Sequence, residues 1–167
     1  AACLAGGPAC GQTIFWNSDA NAINRTSGGQ PMDGGFRFEL GVFKGTFTPT
    51  AGNKSQWAAN WVAKTHTRVA YDSINARFAG IHSPEDNDGE FSINKPAYVW
   101  GFKGDAVSGE WILLRGGSWG WPDANPLVPP PANAYEWFVR NASPVPGVGT
   151  INPSGSPFLM QSVAVTN

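Results

Sequence analysis

Carboxylates and aromatics hold most of the chemical options of this chain, because its histidines are few. Glu39, Glu90, Glu110 and Glu136 each fall on or beside strand-like segments. A facing pair of the kind that hydrolyses glycosides is therefore geometrically conceivable. Any sheet protein also carries solvent-facing acids, and these four are read as such. A nucleophile–histidine–acid relay has little to draw on. His66 and His82 lie in polar β or turn segments, and "SGGQ", "SGE" and "GGSWG" lack the strand-to-helix setting of a nucleophile elbow. No catalytic residue is assigned, and the chain is expected not to be an enzyme.

The acidic run "EDNDGE" invites a calcium reading. With Gly89 at the sharp turn of an EF-hand loop, Asp86 and Asp88 fit, but the first ligand becomes Pro84 and the closing glutamate becomes Lys95. That pattern fails. Asp86 and Asp88 remain only a weak surface candidate beside the simpler reading, a hairpin turn around Asp88-Gly89. No glycine-rich phosphate loop follows a strand and opens a helix, so no cofactor is assigned. Asn24-Arg25-Thr26 and Asn53-Lys54-Ser55 match glycosylation sequons, which matter only in a glycosylating host.

The stretch "RGGSWGWPDANPLVPPP" from Arg115 is the most unusual in the chain. Extended, it would project Trp119 and Trp121 to one face with Asp123 and Asn125 nearby. Such a pair could stack on sugar rings or contact another subunit, but tryptophan is also the side chain that buries most area. The flanking segments favour rings that face inward or against a neighbour, with sugar as the alternative. Gly116, Gly117 and Gly120 would let the backbone turn there, and the prolines from Pro122 to Pro131 would stiffen the exit.

These residues must be positioned by a loop-rich scaffold. The chain has 167 residues, which suits one domain able to bury roughly two-thirds of its unfolded surface. Charged residues make up only 14%, with 21 glycines, 14 prolines and 8 tryptophans, a profile of all-β proteins. Lysine and arginine number 11 against 12 acids, and the basic residues are scattered. No footprint for nucleic acid or an anionic membrane emerges. No apolar run is long enough to span a bilayer.

Cys3 and Cys10 are close together, with a Gly/Pro-rich loop between them. Disulfide is favoured over free thiols or metal, in an oxidising compartment, and contributes about 2.5 kcal/mol of local order. Residues 1–12 are thus read as a disulfide-closed arm, and residues 13–167 as one domain. The start at Ala1 fits a processed N-terminus and a secreted protein.

Thr13 to Trp16 reads as a first strand. "GFRFELGVF" alternates, with Phe36, Phe38 and Leu40 on one face. "GTFTPT" continues it until Pro49 ends it or places it on an edge. "NKSQWAANWVA" predicts one short helix near residues 55–62, with Ser55 as N-cap and Trp57 and Trp61 on one face, pinning it to a sheet. The β pattern returns from His66 to Ile81, with Ile74, Ala76 and Phe78 on one side. "AYVWGF" and "GEWILLRG" follow, the second apolar enough to be covered on both faces. "AYEWFVR" and the tail "SPFLMQSVAVTN" complete about eight to ten strands. The expected fold is an all-β, antiparallel β-sandwich, jelly-roll-like.

Two blocks, "FRFELGVFKGTFTPTAGNKSQWAANW" (36–61) and "PAYVWGFKGDAVSGEWILLRGGSWGWP" (96–122), resemble secreted PEP-CTERM-type proteins of Verrucomicrobia and Planctomycetes. In that family an F-x-L-G strand, an F-T-P-T turn, a W-x-x-x-W segment and an A-Y-x-W…E-W-x-L pair recur in this order. The resemblance implies a surface or matrix protein made with extracellular polysaccharide, without catalytic residues to carry over. The chain departs from the family at its end, where "VAVTN" replaces the sorting motif, apolar helix and arginine cluster. The tail is expected to have been removed or not used.

The function expected from all of this is a secreted, non-enzymatic structural protein of a bacterial surface or matrix. It would self-associate into fibres by β-strand addition, with "PFLMQSVAV" or the N-terminal arm as donor. The alternative is a carbohydrate-binding module for an extracellular polysaccharide.

Overall fold

The computed structural model describes residues 12–20, 22–104, 109–126, 135–152 and 159–165. Within them lie twelve strands: β1 (Ile14–Asn17), β2 (Ile23–Arg25), β3 (Arg37–Phe43), β4 (Trp61–Ala70), β5 (Ala79–His82), β6 (Ala97–Gly104), β7 (Gly109–Gly116), β8 (Tyr135–Phe138), β9 (Ala142–Pro144), β10 (Thr150–Asn152), β11 (Leu159–Gln161) and β12 (Val163–Val165). The fold is an all-β sandwich. The Cys3–Cys10 arm lies outside the described residues.

The central sheet runs β12-β7-β6-β3-β4, all antiparallel, with β9 sharing the β12 side of β7. Period-two alternation gives it two apolar faces. Phe38, Leu40, Val42, Val99, Ile112 and Leu114 join Ile14 and Trp16 of β1 and Trp137 of β8 in one core. On the opposite face Phe43, Tyr98, Trp100, Trp111 and Leu113 meet Trp57, Val145 and Val148. β7 is therefore buried on both sides, as its nearly unbroken apolar run predicts.

Two small sheets complete the structure, β5-β1-β8 and β10-β11-β2. Each contains one parallel pair, β1 with β8 and β2 with β11. The sandwich is thus antiparallel in its main sheet and mixed in its satellites.

Several local expectations are corrected. The helix begins earlier, as a 3-10 turn over Ala51–Gln56, and only Trp57–Asn60 is α-helical (α1). Ser55 lies inside this unit instead of capping it. Asn53 organises the start: its Oδ1 accepts the Thr50 N–H at 2.8 Å and the Trp57 indole N–H at 2.9 Å. The helix stops at Trp61 because that residue is already extended and pairs with Phe43 in the β3–β4 ladder. Both indoles still pack on the sheet, Trp57 stacked on Trp111 at 5.2 Å and Trp61 edge-on to Trp100 at 5.6 Å.

Residues 71–78 turn where a strand was expected. The Asp72 carboxylate accepts the N–H groups of Ile74 and Asn75 at 2.9 and 3.0 Å. Local side-chain bonds of this kind outcompete a sheet ladder. Ile74 is left 93% exposed and Ala76 has φ 51°, while Phe78 is buried. "GTFTPT" forms no strand either.

β4 carries a wide bulge. Between the pairs Glu39↔Arg68 and Gly41↔Ala63, Leu40 alone on β3 faces Lys64 to Thr67 on β4. His66 takes φ 68° there, and the Thr67 hydroxyl bonds the Lys64 carbonyl at 2.7 Å. A bulge of this size breaks up an otherwise exposed edge. No helix among the described residues is long and apolar enough to cross a membrane.

Candidate functional site

Trp119 and Trp121 are internal. Trp119 is 3% exposed and lies stacked on Trp137 with ring centroids 5.6 Å apart. Trp121 is fully buried, 4.6 Å from the Phe91 ring and 5.4 Å from His82. Neither ring offers a face to solvent, so neither is a stacking platform for sugar. Burial wins here because each indole gains far more from a core than an open ligand site returns. Among the glycines nearby, none of Gly116, Gly117 and Gly120 takes a positive φ. Gly116 matters through contact instead, since the Trp119 ring lies directly against its backbone.

The same stretch lines a cleft, to which Trp119 contributes beside more exposed residues, and Trp121 does not. A depression of about 440 Å³ is bounded by Arg115, Gly117, Ser118, Asp123 and the Asn94–Pro96 segment. A second, of about 220 Å³, lies between Phe47, Lys95, Tyr98 and Arg115. A third, of about 400 Å³, is walled by Tyr98, Arg115, Ser143, Pro144 and Pro146. Arg115 borders all three, and neighbouring depressions also share Pro96, Gly117 or Tyr98. The three depressions adjoin at this guanidinium and are called the trough below.

Arg115 reaches this position by simple alternation. On β7 it shares the face of Trp111 and Leu113, but at the strand end, where the covering loops leave it exposed. Its guanidinium lies over the Tyr98 ring, 5.8 Å from the centroid. Burial raises the pKa of the Tyr98 phenol, and the Arg115 charge and hydrogen bond pull against that rise. No carboxylate among the described residues pairs with Arg115, whereas Arg68, Lys95, Lys103 and Arg140 each have one and Lys64 has two.

Asp123 sits half-buried in the first cleft, and its Oδ1 accepts the Asn125 N–H at 2.9 Å. Asn125 is exposed and lines none of the three clefts. Asn87 holds this loop, donating to the Pro122 carbonyl and accepting the Ala124 N–H, both at 2.8 Å.

The carboxylates and histidines do not converge. Glu39 accepts the Trp61 indole N–H at 2.8 Å and pairs with Arg68. Glu90 accepts the Gly45 N–H at 2.7 Å and faces Lys95. Glu110 takes bonds from the Ser162 hydroxyl at 2.6 Å and from the Ser27 hydroxyl and N–H at 2.9 and 3.1 Å. Glu136 is exposed on β8. His66 is exposed on the bulge, and His82 is half-buried, its pKa lowered by burial and by the Lys64 charge.

The calcium candidate already shares one ammonium between its two carboxylates. The Lys64 ammonium bonds Asp86 at 2.6 Å and Asp88 at 3.0 Å, beside the Phe91 ring. A cation at these carboxylates would compete with that ammonium. The sequons are likewise engaged: Asn24 is buried and donates to the Tyr71 hydroxyl, and Asn53 holds the helix start.

Sequence reasoning missed Arg115 and Tyr98 as site residues. The available signal was a lone charge at the end of "GEWILLRG", on the same alternation as its tryptophan. No protein-family model, curated protein or solved structure matches the chain.

Proposed function

We propose that the chain is a secreted, non-enzymatic structural protein of a bacterial surface or matrix, self-associating by exchange of its C-terminal strands. The observation that carries this reading is the way β11 and β12 are held. They are an add-on: β11 pairs in parallel with β2, and β12 lines the 109–111 edge of β7. Met160, Ser162 and Val165 are buried there, and Glu110 bonds Ser162. A segment seated this way in its own chain can seat identically in a second copy. The opposite edge of the central sheet is interrupted by the β4 bulge, which directs strand addition to the β7 side. The resemblance to PEP-CTERM-type proteins agrees with this role.

The test is the mass of the native chain by light scattering over rising concentration, with negative-stain images. Growing oligomers or fibres are expected, and a chain ending at Gly155 should stay small whether or not peptide 156–167 is added. A full chain that remains monomeric throughout overturns the reading.

A carbohydrate-binding module is the second reading, favoured by the trough around Arg115 and not by the two tryptophans. Pull-down on insoluble and soluble polysaccharides tests it, and no retention on any of them ends it.

A further inference from the structure

We infer that the trough around Arg115 binds an acidic saccharide, with the guanidinium receiving the carboxylate of a uronate residue. This rests on the carbohydrate-binding reading and makes it specific.

Arg115 is the cation that lines all three depressions of the trough. A chain of sugars could lie through it with one charged residue at the centre. The guanidinium lies over the Tyr98 ring and hydrogen-bonds its phenol, so one side of it is held before a ligand arrives. A guanidinium held in this manner keeps edge N–H donors for a planar, bidentate acceptor, which a carboxylate is. Prearranged donors reduce the ordering cost of binding.

The walls suit a sugar body. Pro96, Pro144 and Pro146 give rigid apolar surface, as the faces of pyranose rings require, and Thr48, Ser118 and Ser143 place hydroxyls at the rim. The other cation of the trough, Lys95, is engaged by Glu90 at 3.4 Å and by the Gly45 carbonyl. Asp123 lines only the first cleft, where it would repel a second carboxylate. One acidic residue flanked by less charged sugars therefore fits better than a uniformly dense polyanion.

The experiment is calorimetric titration of the full chain with uronate-containing oligosaccharides, with the same oligosaccharides as methyl esters, and with neutral glucan and sulfated oligomers. The free acid should bind at least about tenfold more tightly than its ester, the worth of one charge-assisted contact. Arg115→Gln should lose that preference, Arg115→Lys should retain part of it, and Arg77→Gln, outside the trough, should leave it unchanged. Melting temperatures of the variants should match the parent, since Arg115 is exposed. Equal affinity for acid and ester, a preference for sulfated oligomers, or a preference that survives Arg115→Gln overturns the inference while leaving a carbohydrate module standing. No binding of any saccharide overturns both.

Discussion

The Trp119 indole lies across the backbone of Gly116, where an added Cβ would stand 2.3 Å from its Nε1 and 2.4 Å from Cδ1. The end of β7 and the loop after it are thus locked by a ring on a glycine. That contact keeps the indole inside and leaves Arg115 and Ser118 to face the trough.

Gly116→Ala should accordingly be destabilising. The ring must shift, or the β7–β9 pairing must open, at about 1–3 kcal/mol for an overpacked core site. Urea unfolding followed by tryptophan emission measures this directly. A midpoint equal to that of the parent would mean that the ring has room to move.

Trp119→Ala and Trp121→Ala are expected to lower stability by about 3–5 kcal/mol each, as for other buried large side chains. Any loss of sugar affinity in these variants would follow from unfolding. Calorimetric melting beside a binding assay separates the two: affinity lost with the melting temperature intact would place a ring in the ligand site.

Glu110 should make the seating of the C-terminal strands sensitive to acid. Burial alone would raise its pKa, but the bonds from Ser162 and Ser27 outweigh it and hold the value below the ordinary 4.5. A depressed carboxyl pKa stabilises the fold above the unfolded value, and the contribution is lost as pH falls through the folded value. Protection factors of the amides at residues 160–165, corrected for the intrinsic pH dependence of exchange, should therefore fall below about pH 4.5. In Glu110→Gln the protection should be lower at neutral pH, with little further dependence on acid.

Calcium should leave the melting temperature of the parent chain unchanged, because the Lys64 ammonium bridges Asp86 and Asp88. In Lys64→Ala the two carboxylates lose that cation, and millimolar calcium should then raise the melting temperature. A calcium response in the parent would show that the ammonium is readily displaced.

The central sheet was legible because its signals are local. The alternation in residues 36–43 and the apolar run in "GEWILLRG" announce strands whatever lies beside them. The Asn53 bonds that start the helix early, the Asp72 turn and the bulge from Lys64 to Thr67 depend on single side-chain contacts that periodicity does not register. The parallel pairs β1–β8 and β2–β11 were hidden for another reason, since period says nothing about partners far along the chain. The trough is more hidden still. It is assembled from segments near Thr48, Pro96, Arg115 and Pro144, and none of them carries a motif.

The parallel ladder between Ile23–Arg25 and Leu159–Gln161 also dictates an order of events. The antiparallel neighbours β3, β4, β6 and β7 can assemble as soon as they exist, since each contacts a strand near it in sequence. β2 has no ladder to join until nearly the entire chain has been synthesised. Residues 23–25 and 159–161 thus come together last, after a long loop-closure search. Until then the 109–111 edge of β7 lacks the partner that β12 supplies.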